Sequence, residues 1–201
     1  ATELKVYLLG KRLILSDFMP ILEDVGLRVI AANPYEVELL NESGTVYIFA
    51  VQDQEQQQLT VDSRGELLSE TILASRSGDV ISDSLNALAL SAGLHWREVD
   101  VLRGYLGYAF QIGAVPSRVS IRAALIQYSG IARELFELFA TKFDPDSSAT
   151  KQERLAEIAQ RRAGFFRSLR SVSALADDRA LRRIEELISA TVRTNFYRHG
   201  G

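Results

Sequence analysis

Gly93-Leu94-His95-Trp96-Arg97-Glu98-Val99-Asp100-Val101-Leu102-Arg103-Gly104-Tyr105-Leu106-Gly107-Tyr108-Ala109-Phe110-Gln111-Ile112-Gly113 is the stretch whose reading decides the fold. Val99, Leu102, Leu106, Ala109 and Phe110 recur at helical spacing, and Tyr105, Tyr108 and Ile112 widen the stripe, with no charge after Arg103. A helix apolar on most of its sides needs neighbours on most of its sides, so this segment is expected at the centre of a bundle. Gly104 and Gly107 each cost roughly 1 kcal/mol in a helix interior relative to Ala, and are expected to admit the close approach of another element. Arg97, Glu98, Asp100 and Arg103 crowd the first turns, with Asp100 and Arg103 spaced for an i,i+3 pair, so this end should reach the surface.

Downstream the pattern stays helical. Helices are expected over Arg118 to Gln127, Ile131 to Lys142, Lys151 to Val172 and Asp178 to Tyr197, with another over Val80 to Ala92 just before the central one. Pro116-Ser117, Ser129-Gly130, the run from Asp144 to Ser148, and Ser173 supply turns or caps between them. Leu155, Ile158, Phe165, Phe166, Leu169 and Val172 form one stripe, with Arg162 on its edge. Leu181, Ile184, Ile188, Thr191 and Val192 form another.

Upstream the period changes to that of a sheet. Leu4 to Leu9 reads as a strand ending at Gly10. A helix follows, its cap placed near Asp17 because Pro20 belongs in a first turn, and Gly26 supplies a left-handed stop. Leu27 to Ala31 and Tyr35 to Leu40 read as strand, interrupted by Asn33-Pro34, which suits an edge or a bend. Residues 41–44 read as a turn. Thr45 to Val51 is the clearest strand, apolar at both alternating sets of positions, so both its faces are expected to be covered. Ser63 and Glu66 have capping-box spacing ahead of a second helix carrying Leu67, Leu68 and Ile72. Strand, helix, strand, strand, helix is most of a ferredoxin-like unit, and no strand is legible after Val51. The expected class is α+β: a βαββα unit over residues 1–78 without a clear last strand, then an all-α bundle over 79–201. The sheet either stays three-stranded or borrows an edge from elsewhere.

The chain has 201 residues, 47% of them hydrophobic, and a net charge of −3. Residues 1–95 hold 6 Lys and Arg against 14 Asp and Glu, and residues 96–201 hold 17 against 12, so the halves carry −8 and +5. In the basic half arginines interleave with Glu and Asp along helices, which marks a salt-bridged face or a protein interface rather than a nucleic-acid surface. No apolar run reaches the roughly 20 residues of a membrane span, and no leader pattern opens the chain, so a cytoplasmic location is expected. The start at Ala1 suggests a piece of something longer. The lack of cysteine excludes disulfides, thiolate metal sites and thiol catalysis.

The residues that could carry chemistry are few. Gly-x-Gly-x-x-Gly does not occur, so the chain has no dinucleotide cradle of that kind, and Gly10-Lys11 lacks the rest of a P-loop. His95 stands at a helix start and His199 in the tail, which argues against a two-histidine metal site or a catalytic triad. Trp96 reads as a packing anchor. Asp177 and Asp178 read as helix-capping residues, and Glu185 and Glu186 as a surface pair. Neither a catalytic residue nor a metal or cofactor ligand is expected.

The Gly-Leu-x-Trp-Arg-Glu-Val-x-Val-Leu-Arg-x-Tyr pattern of residues 93–105, followed by Tyr-x-x-Gln-Ile-Gly to residue 113, resembles the helical segment ahead of the catalytic domain in the large bacterial NAD-specific glutamate dehydrogenases. The likeness continues in Asp83 to Leu88, Leu138-Phe139, Phe143-Asp144-Pro145, Asp177 to Arg182 and Arg193 to Tyr197. Leu15 to Glu23 is similar to the strand–helix opening of the last small regulatory-type domain of those enzymes, and the first unit resembles the amino-acid-sensing fold called the ACT domain. The resemblance implies a regulatory and assembly segment, itself without catalytic residues, in a parent that oxidatively deaminates glutamate to 2-oxoglutarate with NAD as cofactor. It further implies contacts with the remainder of that chain, a homo-oligomer and an amino-acid effector.

In ACT-type folds amino acids are commonly held near the first strand–helix turn. Here Gly10 would let a ligand approach the backbone, amides at the helix start would receive its carboxylate, Ser16 would add a hydroxyl and Asp17 would meet its ammonium group. The plainer reading of Ser16 and Asp17 is that they cap the helix. A different class of function, a free-standing amino-acid sensor whose helical half binds protein or nucleic acid, requires a helix-turn-helix with exposed basic residues on its second helix.

Overall fold

From Thr2 to Leu9 half-buried and exposed positions alternate strictly, and this segment is strand β1 of an antiparallel sheet. The computed structural model describes residues 2–10, 12–39, 42–53, 64–115 and 117–198, which pack as two units, residues 1–90 and 91–201. In the first unit β1 is followed by helix α1 (Leu15–Asp24), strands β2 (Arg28–Leu39) and β3 (Glu42–Gln52) and helix α2 (Arg64–Ser77). This is the expected βαββα order. The strands lie in the order β1-β3-β2, and among the described residues no fourth strand joins them.

The register explains several departures from the sequence reading. β2 is one strand rather than two, because it lies at the sheet edge, where the N–H that Pro34 lacks leaves no central ladder bond unmade. It carries an irregularity between Val29 and Ala31. Ser43 and Gly44, read as turn, belong to β3 opposite Glu38 and Val37, and the first residue of that reading, Asn41, lies outside the described residues. The capping residue placed at Ser63 also lies outside them.

Among the described residues, helices α1 and α2 cover one face of this sheet. Phe18 and Leu22 from α1 and Leu68 and Ile72 from α2 join Tyr47, Phe49 and Val51 in the core, with the Phe18 and Phe49 rings 5.5 Å apart. On the other face Val46, Ile48 and Ala50 are half-buried, and Tyr7 and Tyr35 are 70% and 53% exposed. The expectation that both faces of β3 are covered is thus corrected.

Helix α1 begins at Leu15 behind an extended Ile14, not near Asp17. Pro20 therefore lies inside it, where its missing N–H frees only the carbonyl of the exposed Ser16. Gly26 ends the helix at φ +86°, as expected, with its Cα facing the Ala87 side chain. The helix read over Val80 to Ala92 is broken up. Asp83 accepts the Leu85 N–H and starts a 3₁₀ turn, Ser84–Ala87, and only the short helix α3 (Leu88–Ser91) follows. Ser82 Oγ donates to Asp24 Oδ2 at 2.7 Å, which holds this segment to the sheet unit and carries that unit to Leu90.

The second unit holds α4 (Trp96–Gln111), α5 (Arg118–Gln127), α6 (Ser129–Phe143), α7 (Lys151–Ser168) with a 3₁₀ extension to Ser171, and α8 (Leu175–Ala190). Helix α4 contacts α5, α6 and α8. Its buried positions are Val99, Leu102, Leu106 and Ala109, a one-sided stripe. Tyr108, Phe110 and Ile112 are exposed, so α4 is not apolar on most sides. Phe110 lies one residue, about 100°, beyond Ala109 and leaves the stripe, with Arg118 over its ring. A Cβ at Gly104 or Gly107 would meet no described atom within 4 Å, so these glycines do not mark a close approach. Arg103 and Asp100 pair as expected.

In α7 and its extension the stripe is carried by Phe165 and Leu169, while Leu155 is exposed. Helix α8 ends at Ala190 rather than Tyr197, and Val192 is exposed. Thr191 turns the chain out of the helix. Its hydroxyl donates to the Leu187 carbonyl at 2.7 Å and accepts from Tyr105 OH at 2.8 Å. Phe196 and Tyr197 then fold back on Phe139, with ring centroids 5.6 and 6.5 Å from it.

Candidate functional site

The turn between β1 and α1 brings the effector residues expected from the sequence into one neighbourhood but not into one hollow. Gly10 adopts φ +63°, its N–H donates to the Ser43 carbonyl at 3.1 Å, and no described atom lies within 4 Å of where a Cβ would stand. A ligand can therefore approach the backbone there. Gly10 lines a hollow of about 460 Å³ with Arg12, Glu36, Glu38, Ser43 and Thr45. Asp17 lines another, of about 390 Å³, with Arg12, Leu13, Phe18, Ile21 and Arg76. Among the described residues Ser16 lines neither; its hydroxyl donates to Asp17 Oδ1 at 3.3 Å.

The capping reading of Ser16 and Asp17 is corrected. The N-cap position belongs to Ile14, which has no side-chain acceptor, so the first-turn amides of α1 receive no cap from it. Asp17 sits within the first turn, where its charge suits the positive end of the helix. Arg12 is the residue the sequence reading missed. It faces both hollows and pairs with Glu36 at 3.0 Å, both side chains being more than three-quarters exposed. An isolated arginine in a turn carries no spacing signal, because Glu36 reaches it only through the sheet.

In the second unit a larger groove, about 990 Å³, runs along α4 and the chain after α8. Arg97, Asp100 and Tyr105 enter from α4, Phe139 from α6, and Arg193 and Arg198 from the last described residues. Burial pushes the Tyr105 hydroxyl above the ordinary tyrosine range, against the lowering effect of its bond to Thr191. Arg97, Asp100, Val101, Gly104 and Tyr108 share one side of α4 at helical spacing, so half of this groove is legible in the sequence. The other half was hidden because residues 191–197 read as helix.

The remaining polar candidates have structural roles. His95 caps α4, its Nδ1 accepting the Arg97 N–H at 3.2 Å while Glu98 accepts the His95 N–H at 2.9 Å, as the helix-start reading expected. Trp96 lies under the Arg97 guanidinium, 5.1 Å from it. Asp177 and Asp178 are first-turn residues of α8 rather than caps, since Ala174 holds the N-cap position. Asp178 is gripped by Arg182 through bonds of 2.7 and 2.9 Å, which hold its carboxyl below the usual aspartate range. Glu185 is not a surface residue. It is 1% exposed and accepts from both Arg162 and Ser189, because one turn of α8 directs it toward Arg162 while Glu186 points outward to Arg183. Among the described residues no group of three or more acidic or histidine side chains is placed to hold a metal, and no helix is long and apolar enough to cross a membrane.

Comparison with known proteins places this architecture. Residues 1–64 match the family model for the glutamate dehydrogenase ACT3 domain, and residues 80–145 match that for glutamate dehydrogenase helical motif 3. The chain is 36% identical to the NAD-specific glutamate dehydrogenase of Pseudomonas aeruginosa over 198 residues, covering 98% of the chain and 12% of that protein. It is 34% identical to that of Halomonas elongata over 194 residues, 96% of the chain and 12% of the relative. Against that of Mycobacterium tuberculosis it is 30% identical over 201 residues, 97% of the chain and again 12% of the relative. With both matched regions in order and the relatives aligned along nearly its whole length, this chain belongs to the glutamate dehydrogenase family, as its ACT3 domain and helical motif 3.

Proposed function

We propose that the chain is a regulatory and assembly segment of a longer NAD-dependent glutamate dehydrogenase, with residues 1–78 as an ACT-like domain and 79–201 as a helical domain. The parent's reaction is the oxidative deamination of L-glutamate to 2-oxoglutarate in the cytoplasm. The observation that carries this reading is the alignment of almost the whole chain with about an eighth of each relative named NAD-specific glutamate dehydrogenase. In this reading NAD and the reacting groups belong to the rest of the polypeptide, and this segment contributes contacts within an oligomer and an effector site.

That effector site lies at the β1–α1 turn. Arg12 receives the carboxylate of an amino acid, Asp17 its ammonium group, and the backbone at Gly10 admits its main-chain atoms, with Ser16 orienting Asp17. What supports it is the convergence of both charges and an open glycine backbone on neighbouring hollows. Antibody raised against residues 96–111 tests the parent assignment in extracts of the source cells. The expected result is a polypeptide several times the 22.4 kDa of this chain, co-purifying with glutamate-dependent reduction of NAD. A 22.4 kDa species without that activity would overturn the reading.

A further inference from the structure

Of the 23 basic side chains 19 are arginine, and the lysines are Lys5, Lys11, Lys142 and Lys151. The two in the helical unit are placed differently. Lys151 is exposed at the start of α7, whereas Lys142 is half-buried in the last turn of α6. Its Nζ donates to the carbonyls of Ile188 and Ser189 at 3.1 and 2.5 Å, so it ties the end of α6 to the end of α8. The charged groups that act on it are Arg162 of α7 and Glu185 of α8, and the Phe143 ring lies 5.2 Å away.

An ammonium group has three N–H donors, and a neutral amine has two. Two are what the carbonyls of Ile188 and Ser189 take, so the neutral amine keeps both bonds and turns its lone pair away from α8. Burial, and next the Arg162 charge, lower the Lys142 pKa, with Glu185 opposing them. The nitrogen is thus held in place in the form that attacks a carbonyl carbon. Arg162, nearly half exposed, brings to the same place a positive charge that attracts an anionic donor.

We propose that Lys142 is an acylation site, which takes the acetyl group of an activated donor, an acyl phosphate or an acyl thioester, and thereby loosens the end of α8. Nζ adds to the acetyl carbonyl carbon and forms the C–N bond. The carbon–oxygen bond to phosphate, or the carbon–sulfur bond of the thioester, breaks, the leaving group departs with the bonding pair, and Nζ gives one proton to water. The acetamide that results has a single N–H, so one of the two carbonyls loses its donor, and no charge remains at Lys142 to help Arg162 balance the buried Glu185. Thr191 follows Ser189 by two residues and is held to α4 through the Tyr105 hydroxyl, so the change reaches the chain that leaves α8. The proposal needs no effector at the β1–α1 turn.

Incubation of the 201-residue chain with acetyl phosphate, and separately with acetyl-coenzyme A, followed by peptide mass spectrometry, tests the site against Lys151 as internal reference. With at least one donor Lys142 should be acetylated about threefold or more faster than Lys151 at pH 8, and its rate should level off at lower pH. Reaction with one donor or with both supports the site and names its source. A Lys142 that reacts no faster than Lys151 with either donor overturns it. Hydrogen exchange reads the consequence at the Thr191 amide, which donates to the Leu187 carbonyl at 3.0 Å. This amide should exchange about tenfold or more faster in the acetylated chain and in Lys142→Gln, and at the wild-type rate in Lys142→Arg, which keeps the donors and accepts no acetyl group. The Leu102 amide of α4 should keep its protection throughout. Unchanged exchange at Thr191 after acetylation overturns the loosening, and so does an equal rise at Leu102, the mark of global unfolding.

Discussion

Arg162 Nε donates to Glu185 Oε1 at 2.6 Å, and the same oxygen accepts the Ser189 hydroxyl at 2.6 Å, although Glu185 is 1% exposed and Arg162 nearly half exposed. One end of this pair is deep in the helical unit and the other is wet. Lys142 stands nearby, donating to the carbonyls of Ile188 and Ser189 at 3.1 and 2.5 Å, its pKa lowered chiefly by burial and next by Arg162, with Glu185 opposing. The carboxylate thus lies between cations of α6 and α7. Arg162→Ala should cost about 2–3 kcal/mol in chemical denaturation, less than breaking a wholly buried pair because water reaches the arginine. A loss under about 0.5 kcal/mol would show that Lys142 and Ser189 alone satisfy Glu185.

Helix α4 offers a contrast between neighbouring apolar residues. Leu102 is 0% and Leu106 3% exposed, whereas Phe110 is 41% exposed. Leu102→Ala or Leu106→Ala should destabilise the chain by about 2–5 kcal/mol, and Phe110→Ala by under about 1 kcal/mol, the larger side chain giving the smaller effect. Equal losses on urea unfolding would mean that Phe110 is covered in solution.

This contrast also shows what the sequence could disclose. The βαββα order and the helical second half were legible because a short continuous apolar run, as in Thr45 to Val51, and a period of 3.6, as in Val99 to Ala109, are distinct signals, and among the described residues no fourth strand joins the sheet. Ends and faces were less so. Asp83 looked like part of a helix because its capture of the Leu85 N–H is a local bond that periodicity does not report. Glu185 looked exposed because two adjacent glutamates give no sign of which one an arginine 23 residues away will draw inward. Gly10, Ser16 and Asp17 were locatable from the turn, but Arg12 gains meaning only when β2 brings Glu36 beside it.

Asp178 and Arg182 predict a pH dependence. Arg182 holds the native Asp178 carboxyl below its ordinary value, so the unfolded chain binds this proton more readily. The stabilisation is therefore complete above the ordinary aspartate range and is lost as pH falls through the lower native value. For a pair with this much solvent access it is about 0.5 kcal/mol. Asp178→Asn should be less stable than wild type by that amount at neutral pH, and the two unfolding curves should converge in strong acid. A gap that persists below both values would assign the loss to packing or to the helix dipole rather than to the charge.

The effector reading of the β1–α1 turn makes the last prediction. If Arg12 takes a carboxylate and Asp17 an ammonium group, an α-amino acid needs both, and a simple carboxylic acid or amine satisfies only one. Calorimetric titration of the 201-residue chain with the common amino acids should then find one or a few that bind. Arg12→Ala and Asp17→Ala should each weaken that binding by about tenfold or more, the loss of one charge-assisted contact. Ser16→Ala should weaken it less, since the hydroxyl meets Asp17 and lines neither hollow. Arg12→Ala also breaks the Glu36 pair, but both partners are mostly exposed, so its stability should hardly move, and lost binding cannot be mistaken for lost folding. The two charged residues must also fail together. A ligand that survives Arg12→Ala and Asp17→Ala unchanged is held elsewhere, and the turn is then only the entry to α1.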